Sequence, residues 1–381
     1  MKILIVHHSY AEKSHSGEDI VLKKHISFLK SKGHDIVFIN QNTDEFFTHW
    51  YSYLTTFLRW PLNLGRSIQK IVGVENPDVI FIHNIFPTFS TRWIRKTQVP
   101  ILMWIHNYRS FCIASTFMRK DNSCQICIKK PSIKSVYYRC SSASLLRSIA
   151  MYLRLFLNLN LGELNSKIHF ITLSEMSRDV LLRTKIVNPK ISVIPNFINR
   201  QVDSLDLIEN KRLKWVYVGR LSREKGILPM IKLFPGNVQL DIYGAGPLLS
   251  EMLIEISAKP NIEYRGTFSN EEIPSILKNY IGAIIPSIWT EGLPTSFLEY
   301  CANGIPTITW KHNSSAIYVS KFQTGVVVNG VSTKELSDAI HQITYRRNFY
   351  SSNAFHIAKT EFDEELWYQK LMDVIISEIQ N

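Results

Sequence analysis

Apolar residues along this chain fall into short unbroken runs that alternate with longer stretches of helical spacing, and the alternation occurs twice. KILIVHH (2–8) predicts a strand, followed by a loop carrying Ser16, Gly17, Glu18 and Asp19. IVLKKHISFLKSKG then has helical apolar spacing and closes on Gly33, and HDIVFIN (34–40) returns as a strand. DVIFIHN (78–84) and ILMWIHN (101–107) read as buried strands, each running into a loop at its His-Asn end. KIHFITLS and KISVIPN complete this first series. A second series opens at LKWVYVGR and continues through VQLDIYG, IEYRG, GAIIPS, IPTITW and GVVV, with helical segments between. Polar NRQVDSLDLIENKR (199–212) separates the two and predicts a linker.

All-apolar strands alternating with helices belong to parallel sheets covered on both faces. The expected class is therefore α/β, as two Rossmann-like, doubly wound domains facing across a cleft, with strand ends pointing into it. The expected domains are 1–198, with a Cys-containing insertion at about 110–142, then 213–360, and a final helical segment at 361–381.

Composition sharpens this. With 381 residues, 45% hydrophobic and 20% charged, the chain can build two cores and is too apolar for disorder. MKILIVHHS lacks the longer apolar core and the cleavage site of a signal peptide. No apolar run approaches the roughly 20 residues of a membrane span. LLRSIAMYLRLFLNLNLG (145–162) is interrupted by Arg147 and Arg154 and predicts an interfacial helix. The expected location is cytoplasmic, with contact at the inner face of the plasma membrane.

A net charge of +12 implies an anionic partner: membrane, nucleic acid or charged substrate. Basic clusters at Arg92, Arg95 and Lys96, at Arg119 and Lys120, and at Lys129, Lys130 and Lys134 all fall in the first half. Trp50, Tyr51, Tyr53, Phe57 and Trp60, with Arg59 among them, form either a core helix or a contact with anionic lipid.

The sharpest chemical signal is TEGLPTSFLEYCANGIP, where Glu291 and Glu299 stand eight positions apart around a small-residue turn. IGAIIPSIW before it reads as a buried strand, so Glu291 lies after a strand and before a helix, the edge at which open α/β sheets bind ligands. With Pro294 in the first helical turn, the amides of Gly292, Leu293 and Thr295 can meet an anion. The segment thus offers a phosphate seat flanked by two hydroxyl acceptors, matching a nucleotide-sugar. In VGRLSREKG, Arg220 and Lys225 supply the cations that neutralise a diphosphate leaving group when no metal does so. Nucleic acid fits poorly, because paired carboxylates repel a phosphate backbone.

These segments, in order, resemble a retaining glycosyltransferase of the GT-B fold, family 4. SGEDIV resembles its first-loop GGED type, with Ser16 in place of one Gly. ILMWIHNYRSFC resembles a subgroup's His-Asn-Tyr-Arg motif, SVIPNFIN its domain-joining strand, YVGRLSREKG its donor phosphate loop and EGLPTSFLE its paired glutamates. The resemblance implies that Arg220 and Lys225 hold the pyrophosphate, Glu299 the ribose hydroxyls and Glu291 the transferred sugar. It places His106 near the reacting carbon, and Gly17 where a residue without Cβ admits an anionic ligand. Glu18 and Asp19 go to the acceptor side or cap the following helix; Asn107, Tyr108 and Arg109 also fall to the acceptor side. Gly244-Ala245-Gly246 is a tight turn or a donor contact.

The implied enzyme moves a sugar from a nucleotide-diphosphate sugar to a glycan or polyprenyl-diphosphate-linked acceptor in bacterial surface polysaccharide assembly. No cofactor is required for catalysis. A GT-B nucleotide-sugar epimerase is the alternative, and no pyridoxal-phosphate lysine motif favours a phosphorylase. The implied course of ELWYQKLMDVIISEI is back to the first domain.

Cys112, Cys124, Cys127 and Cys140 crowd one short stretch of a chain with five cysteines, and Cys124 and Cys127 have the spacing of a zinc knuckle. In a reducing compartment a structural zinc competes with free thiols and a CxxC disulfide. Cys301 reads as small packing.

Overall fold

The computed structural model describes residues 1–9, 17–42, 65–86, 88–120, 122–141, 143–157, 167–186, 188–198, 214–269 and 272–380. Ser16, the aromatic segment at 50–60 and the linker at 199–212 lie outside them.

The first series folds as β1 (Lys2–Ser9), α1 (Gly17–Ser31), β2 (Asp35–Asn42), α2 (Gln69–Glu75), β3 (Val79–Ile82) and β4 (Ile101–Ile105). A small two-stranded ribbon follows, β5 (Met118–Arg119) with β6 (Asn122–Ser123). Then come α3 (Lys134–Tyr137), α4 (Leu145–Leu157), β7 (Ile168–Thr172), α5 (Glu175–Leu182) and β8 (Lys190–Val193). The main sheet has the order β2-β1-β3-β4-β7-β8, with every pair parallel. β3, β4 and β7 are buried at every position, as the unbroken apolar sequences of β3 and β4 require of strands covered on both faces.

The second series forms β9 (Lys214–Val218), α6 (Ile227–Leu233), β10 (Gln239–Tyr243), α7 (Leu249–Ser257), β11 (Ile262–Tyr264), α8 (Ile273–Leu277) and β12 (Gly282–Ile285). It continues through α9 (Thr295–Ala302), β13 (Thr307–Trp310), α10 (Ser315–Phe322), β14 (Gly325–Val328), α11 (Thr333–Tyr345), α12 (Arg347–Thr360) and α13 (Glu364–Gln380). Its sheet, β11-β10-β9-β12-β13-β14, is again wholly parallel. Trp215, Leu240, Ile242, Ile284, Ile308 and Trp310 join its core.

By contacts the chain divides into one unit of Met1–Arg119, Ser123–Ile194 and Lys370–Asn381 and another of Pro195–Gln369 with Lys120–Asn122. α13 therefore starts in the second unit and ends in the first. At its start the Trp367 indole, 3% exposed, packs edge-on against Phe197 at 5.0 Å between ring centroids. Near its end Glu378 accepts from Lys190 Nζ at 2.8 Å and from His169 Nδ1 at 3.1 Å.

These two anchors differ in strength. Trp367→Ala empties a buried aromatic site and should cost about 3 kcal/mol. Glu378→Gln loses a pair whose lysine is 41% exposed and should cost about 1 kcal/mol or less. Denaturant melts of the two variants check the ranking.

Candidate active site

In the second sheet the strand order reverses between β9 and β12, so the loops leaving their C-terminal ends lie side by side. The contacts joining them are tight. Ile288 N–H donates to the Glu224 carbonyl at 3.0 Å. Gly226 has φ +67°, and a Cβ there would come within 2.0 Å of the Pro286 carbonyl oxygen. Beneath the first loop runs Gly244-Ala245-Gly246. Leu221 N–H donates to the Ala245 carbonyl at 2.9 Å, and a Cβ on Gly244, φ +137°, would lie 1.9 Å from the Gly219 oxygen. Close backbone approach thus accounts for these glycines.

Glu291, 6% exposed, is held at both carboxylate oxygens: Lys225 Nζ donates to Oε2 and Asn313 Nδ2 to Oε1 at 2.8 Å. Ser314 Oγ donates to the Glu291 carbonyl. Such burial of a carboxylate requires this degree of pairing. Arg220 stands exposed on the same loop as Lys225, its carbonyl accepting from the Tyr217 hydroxyl at 2.9 Å.

α9 begins one residue later than expected. Pro294 is its N-cap, with ψ 127°, rather than a residue of the first turn, because that extended ψ carries the loop out of Leu293. Phe297 N–H turns back to the Pro294 carbonyl at 3.1 Å, so the amides of Thr295 and Ser296 lead the helix. Glu299, half-buried, lies one turn beyond Thr295 on the same face. The Tyr300 hydroxyl accepts from Val218 N–H at 2.9 Å and ties α9 to the end of β9. Gly292, Leu293 and Pro294 are buried between them. Asn313, Ser314 and Tyr300, which fix these elements, carry no sequence signal beyond an Asn-Ser-Ser run after a strand.

The first sheet reverses between β1 and β3. Its C-terminal edge gathers imidazoles: His7 and His8 end β1, His83 follows β3, His106 follows β4, and His25 comes from α1. His83 Nδ1 and His106 Nε2 share a hydrogen bond of 3.0 Å, and the His83 ring stacks on Trp104 at 4.5 Å. His7 Nε2 donates to Asp19 Oδ1 at 2.6 Å, and His8 Nδ1 meets Thr88 Oγ1 at 3.0 Å. Asp19 and Glu18 sit in the first turn of α1, which starts at Gly17.

Burial, reinforced by His7, holds His106 down to about 3 and His8 to about 4; burial with His106 holds His25 to about 3. Burial and the neighbouring Asp19 push Glu18 up to about 8, against an opposing pull from Arg109. His106, His25 and His8 are therefore neutral near pH 7, and Glu18 is mostly protonated.

Asn107 Oδ1 accepts from Arg109 N–H at 3.1 Å. Arg109 Nε donates to Ser115 Oγ at 3.2 Å, with its guanidinium 5.5 Å from the Phe86 ring centroid. Tyr108 is 1% exposed and packs on Phe117 at 5.1 Å, so its ring sits behind the loop. A cavity lined by His83, Asn84, His106, Asn107, Arg109 and Arg154 opens beside these residues. On α4, Arg154 differs from the exposed Arg147. It turns inward, 6% exposed, donates to the Phe89 carbonyl at 3.3 Å and is lowered to about 10 by burial.

Two compact parallel-sheet units, each with polar groups collected at its strand-order reversal, define a GT-B-type α/β enzyme. Solved structures of that fold superpose along nearly their whole length. Sucrose-phosphate synthase from Thermosynechococcus elongatus is 15% identical, with TM-score 0.69, covering 99% of this chain and 98% of that one. HepE from Anabaena, in complex with UDP and glucose, is 15% identical, with TM-score 0.65, covering 99% and 100%. WaaG, a glycosyltransferase involved in lipopolysaccharide biosynthesis, is 14% identical, with TM-score 0.65, covering 98% and 99%. The sequence model of Glycosyltransferase Family 4 matches residues 19–202 and that of Glycosyl transferases group 1 matches residues 203–352, so the chain belongs to the family 4 glycosyltransferases and is a transferase. No curated protein matches the sequence.

The pKa directions set a stability window. His8, His25 and His106 are depressed below their ordinary 6.5, so the unfolded chain binds more protons and stability falls as pH drops from 6.5 through about 4 toward about 3. Glu18 is raised above 4.5, so the folded chain binds more protons and stability from this group is lost as pH rises from 4.5 through about 8. In melts from about pH 4 to about 9, His25→Leu should flatten the acid limb and Glu18→Gln the alkaline limb, each by at least about 2 °C. Unchanged limbs would show that these groups titrate as if exposed.

Proposed function

We propose that this enzyme is a retaining glycosyltransferase that moves a sugar from a nucleoside-diphosphate sugar to a glycan or lipid-linked acceptor. The observation that carries this reading is Glu291, buried and held by Lys225 and Asn313 at the strand-order reversal, directly before a helix N-terminus. An ammonium has three donors; one on Glu291 leaves two for diphosphate oxygens. In this reading Lys225 and Arg220 neutralise the leaving diphosphate, and the amides from Gly292 to Thr295 seat its oxygens. Glu299 takes the ribose hydroxyls. Glu291, held by Lys225, takes hydroxyls of the sugar and favours the positive charge that grows on its ring.

His106 is assigned to the sugar near its reacting carbon. A neutral imidazole there donates or accepts one hydrogen bond without adding a positive charge beside the oxocarbenium-like centre. No carboxylate is assigned as a nucleophile. The departing phosphate oxygen instead receives the acceptor hydroxyl's proton while the new glycosidic bond forms on the same face, which retains configuration. Asn107, Arg109, Asp19 and Glu18 are assigned to the acceptor, with Gly17 allowing close approach at the start of α1.

The acceptor is proposed to be a sugar on a polyprenyl-diphosphate lipid, in surface polysaccharide assembly. α4 exposes Leu145, Leu146, Leu153, Phe156 and Leu157, and Arg147, Lys129, Lys130 and Lys134 are exposed on or near it. An apolar stripe edged by cations suits an anionic bilayer surface. No helix among the described residues is long and apolar enough to cross a membrane, so the contact proposed is peripheral.

Glu299→Ala should weaken donor binding at least about 10-fold, the scale of a lost charge-assisted hydrogen bond. Arg220→Ala and Lys225→Ala should lose transfer by about 100-fold with the fold retained. Thermal stabilisation across UDP-, GDP-, TDP- and CMP-sugars identifies the donor, and full activity in all three variants would remove this donor site. Labelled donor without acceptor separates the epimerase reading, which predicts altered nucleotide-sugar. Leu146→Asp with Phe156→Asp should abolish sedimentation with anionic vesicles at low salt while sparing transfer to a soluble acceptor. Wild-type protein that ignores such vesicles would refute the membrane assignment.

A further inference from the structure

The segment between the His-Asn-Tyr-Arg run and α4 is unlike the rest of the fold. Its regular structure is a pair of two-residue strands and one short helix. Among the described residues, eight that are not glycine have positive φ, and five of them lie here: Ser115, Phe117, Lys120, Arg139 and Ala143. Each such residue costs of order 1 kcal/mol unless its surroundings over-determine it. Ile133, Tyr137 and Tyr138 are exposed rather than gathered into a core. Ordinary burial is thus a weak source of order for this backbone.

One feature unifies the segment. Cys112, Cys124, Cys127 and Cys140 all line a single cavity of about 20 Å³, closed around by Ile113 and Phe117. That volume admits one small ion and excludes an organic ligand. Cys112 and Cys127 are buried, Cys124 and Cys140 half-buried, and none is in a disulfide. Four cysteines from three separated pieces of chain line the same small cavity, a convergence that packing of small residues does not require.

We propose that these four cysteines form a structural zinc site. Soft thiolates in an apolar shell select zinc over magnesium or calcium, and four protein ligands close the coordination shell, leaving no open position for catalysis. Among the described residues no three such ligands already stand at metal-binding spacing, so the thiols ring the cavity and close on the ion by side-chain rotation. Each Cys loses its proton as its sulfur bonds the metal, and the four protons pass to solvent. The product, zinc(II) with four thiolates, carries a net charge of −2. Arg119 lines the cavity and stacks over Tyr138 at 4.2 Å, while Lys129, Lys130 and Lys134 belong to the same segment, so the surroundings have the sign that stabilises a dianionic centre.

The site also bears on the loop before it. Cys112 N–H donates to the Tyr108 carbonyl at 2.7 Å, Tyr108 N–H to the Ser115 carbonyl at 2.9 Å, and Ser115 Oγ holds Arg109. Fixing Cys112 to the metal therefore fixes the turn from which Arg109 projects. The inference is independent of the sugar or acceptor.

Metal analysis of the full-length protein, purified reduced and without chelator, should give about one zinc per chain, released by a thiol-directed mercurial. Cobalt(II) exchange should give the thiolate-to-cobalt charge-transfer bands and visible absorption of a tetrahedral thiolate site. Cys140→Ser should weaken zinc retention against a chelator at least about 10-fold, Cys301→Ser not at all. Removing the metal should speed amide exchange at 108–117. Protein with less than about 0.2 zinc per chain and an unaltered melting temperature, or a Cys124–Cys127 disulfide in the reduced preparation, would overturn the proposal. The wild-type metal count and cobalt spectrum decide the matter even where a cysteine variant fails to fold.

Discussion

A parallel sheet cannot reverse its strand order without leaving two neighbouring loops that depart in opposite directions, and that constraint builds both candidate sites. In the second unit the loops after β9 and β12 have no strand between them, so each must be satisfied by the other. Ile288 N–H on the Glu224 carbonyl and the missing Cβ of Gly226 over Pro286 are the visible result. Once the loops are locked, Lys225 and Glu291 fall within bonding reach although they stand far apart in sequence. α9 must then start where the second loop ends, and the Tyr300 hydroxyl holds it to β9. Carboxylate, ammonium and helix N-terminus are thus consequences of one topological choice.

That choice explains why Glu291 tolerates burial. An isolated buried carboxylate costs several kcal/mol and is protonated instead. Here one oxygen has the Lys225 ammonium and the other the Asn313 amide, so neither is left without a donor at low exposure. Removing either partner does more than delete a contact, because it leaves a buried charge half-paired. Lys225→Ala is therefore a test of Glu291 as well as of Lys225.

Nearly all of this fold was legible from hydrophobic pattern because its strands are buried on both faces. Twelve apolar runs became strands, most within two residues of the expected ends. Glu291, Glu299, Arg220 and Lys225 stand out as candidates in the sequence because loop chemistry at strand ends is local. What escaped was long-range. Asn313 and Ser314 reach Glu291 from a different strand, and the imidazole cluster assembles from four elements, with only its His-Asn strand ends visible beforehand. The inward turn of Arg154 was not legible because helical spacing gives a face but not which way that face turns; in the fold the guanidinium finds Phe86 and the Phe89 carbonyl. Pro294 shifted by one residue because a proline's φ fits the N-cap and the first turn alike.

The two units carry different kinds of polarity at their sheet edges. The second unit's loops present full charges, Lys225 against Glu291 with Arg220 exposed nearby, as suits a ligand with a diphosphate. The first unit gathers imidazoles that burial keeps uncharged and a glutamate that burial keeps largely protonated. In the proposed reading, uncharged donors and acceptors would recognise hydroxyls without adding a positive charge to a sugar that becomes positive as its bond to phosphate breaks. With His106 in its proposed role, a protonated imidazole would oppose that charge through a low-dielectric medium where Coulomb energies are large. Packing against His83, itself stacked on Trp104, thus does electrostatic as well as structural service, because the desolvation that lowers the His106 pKa also suits the role proposed for it.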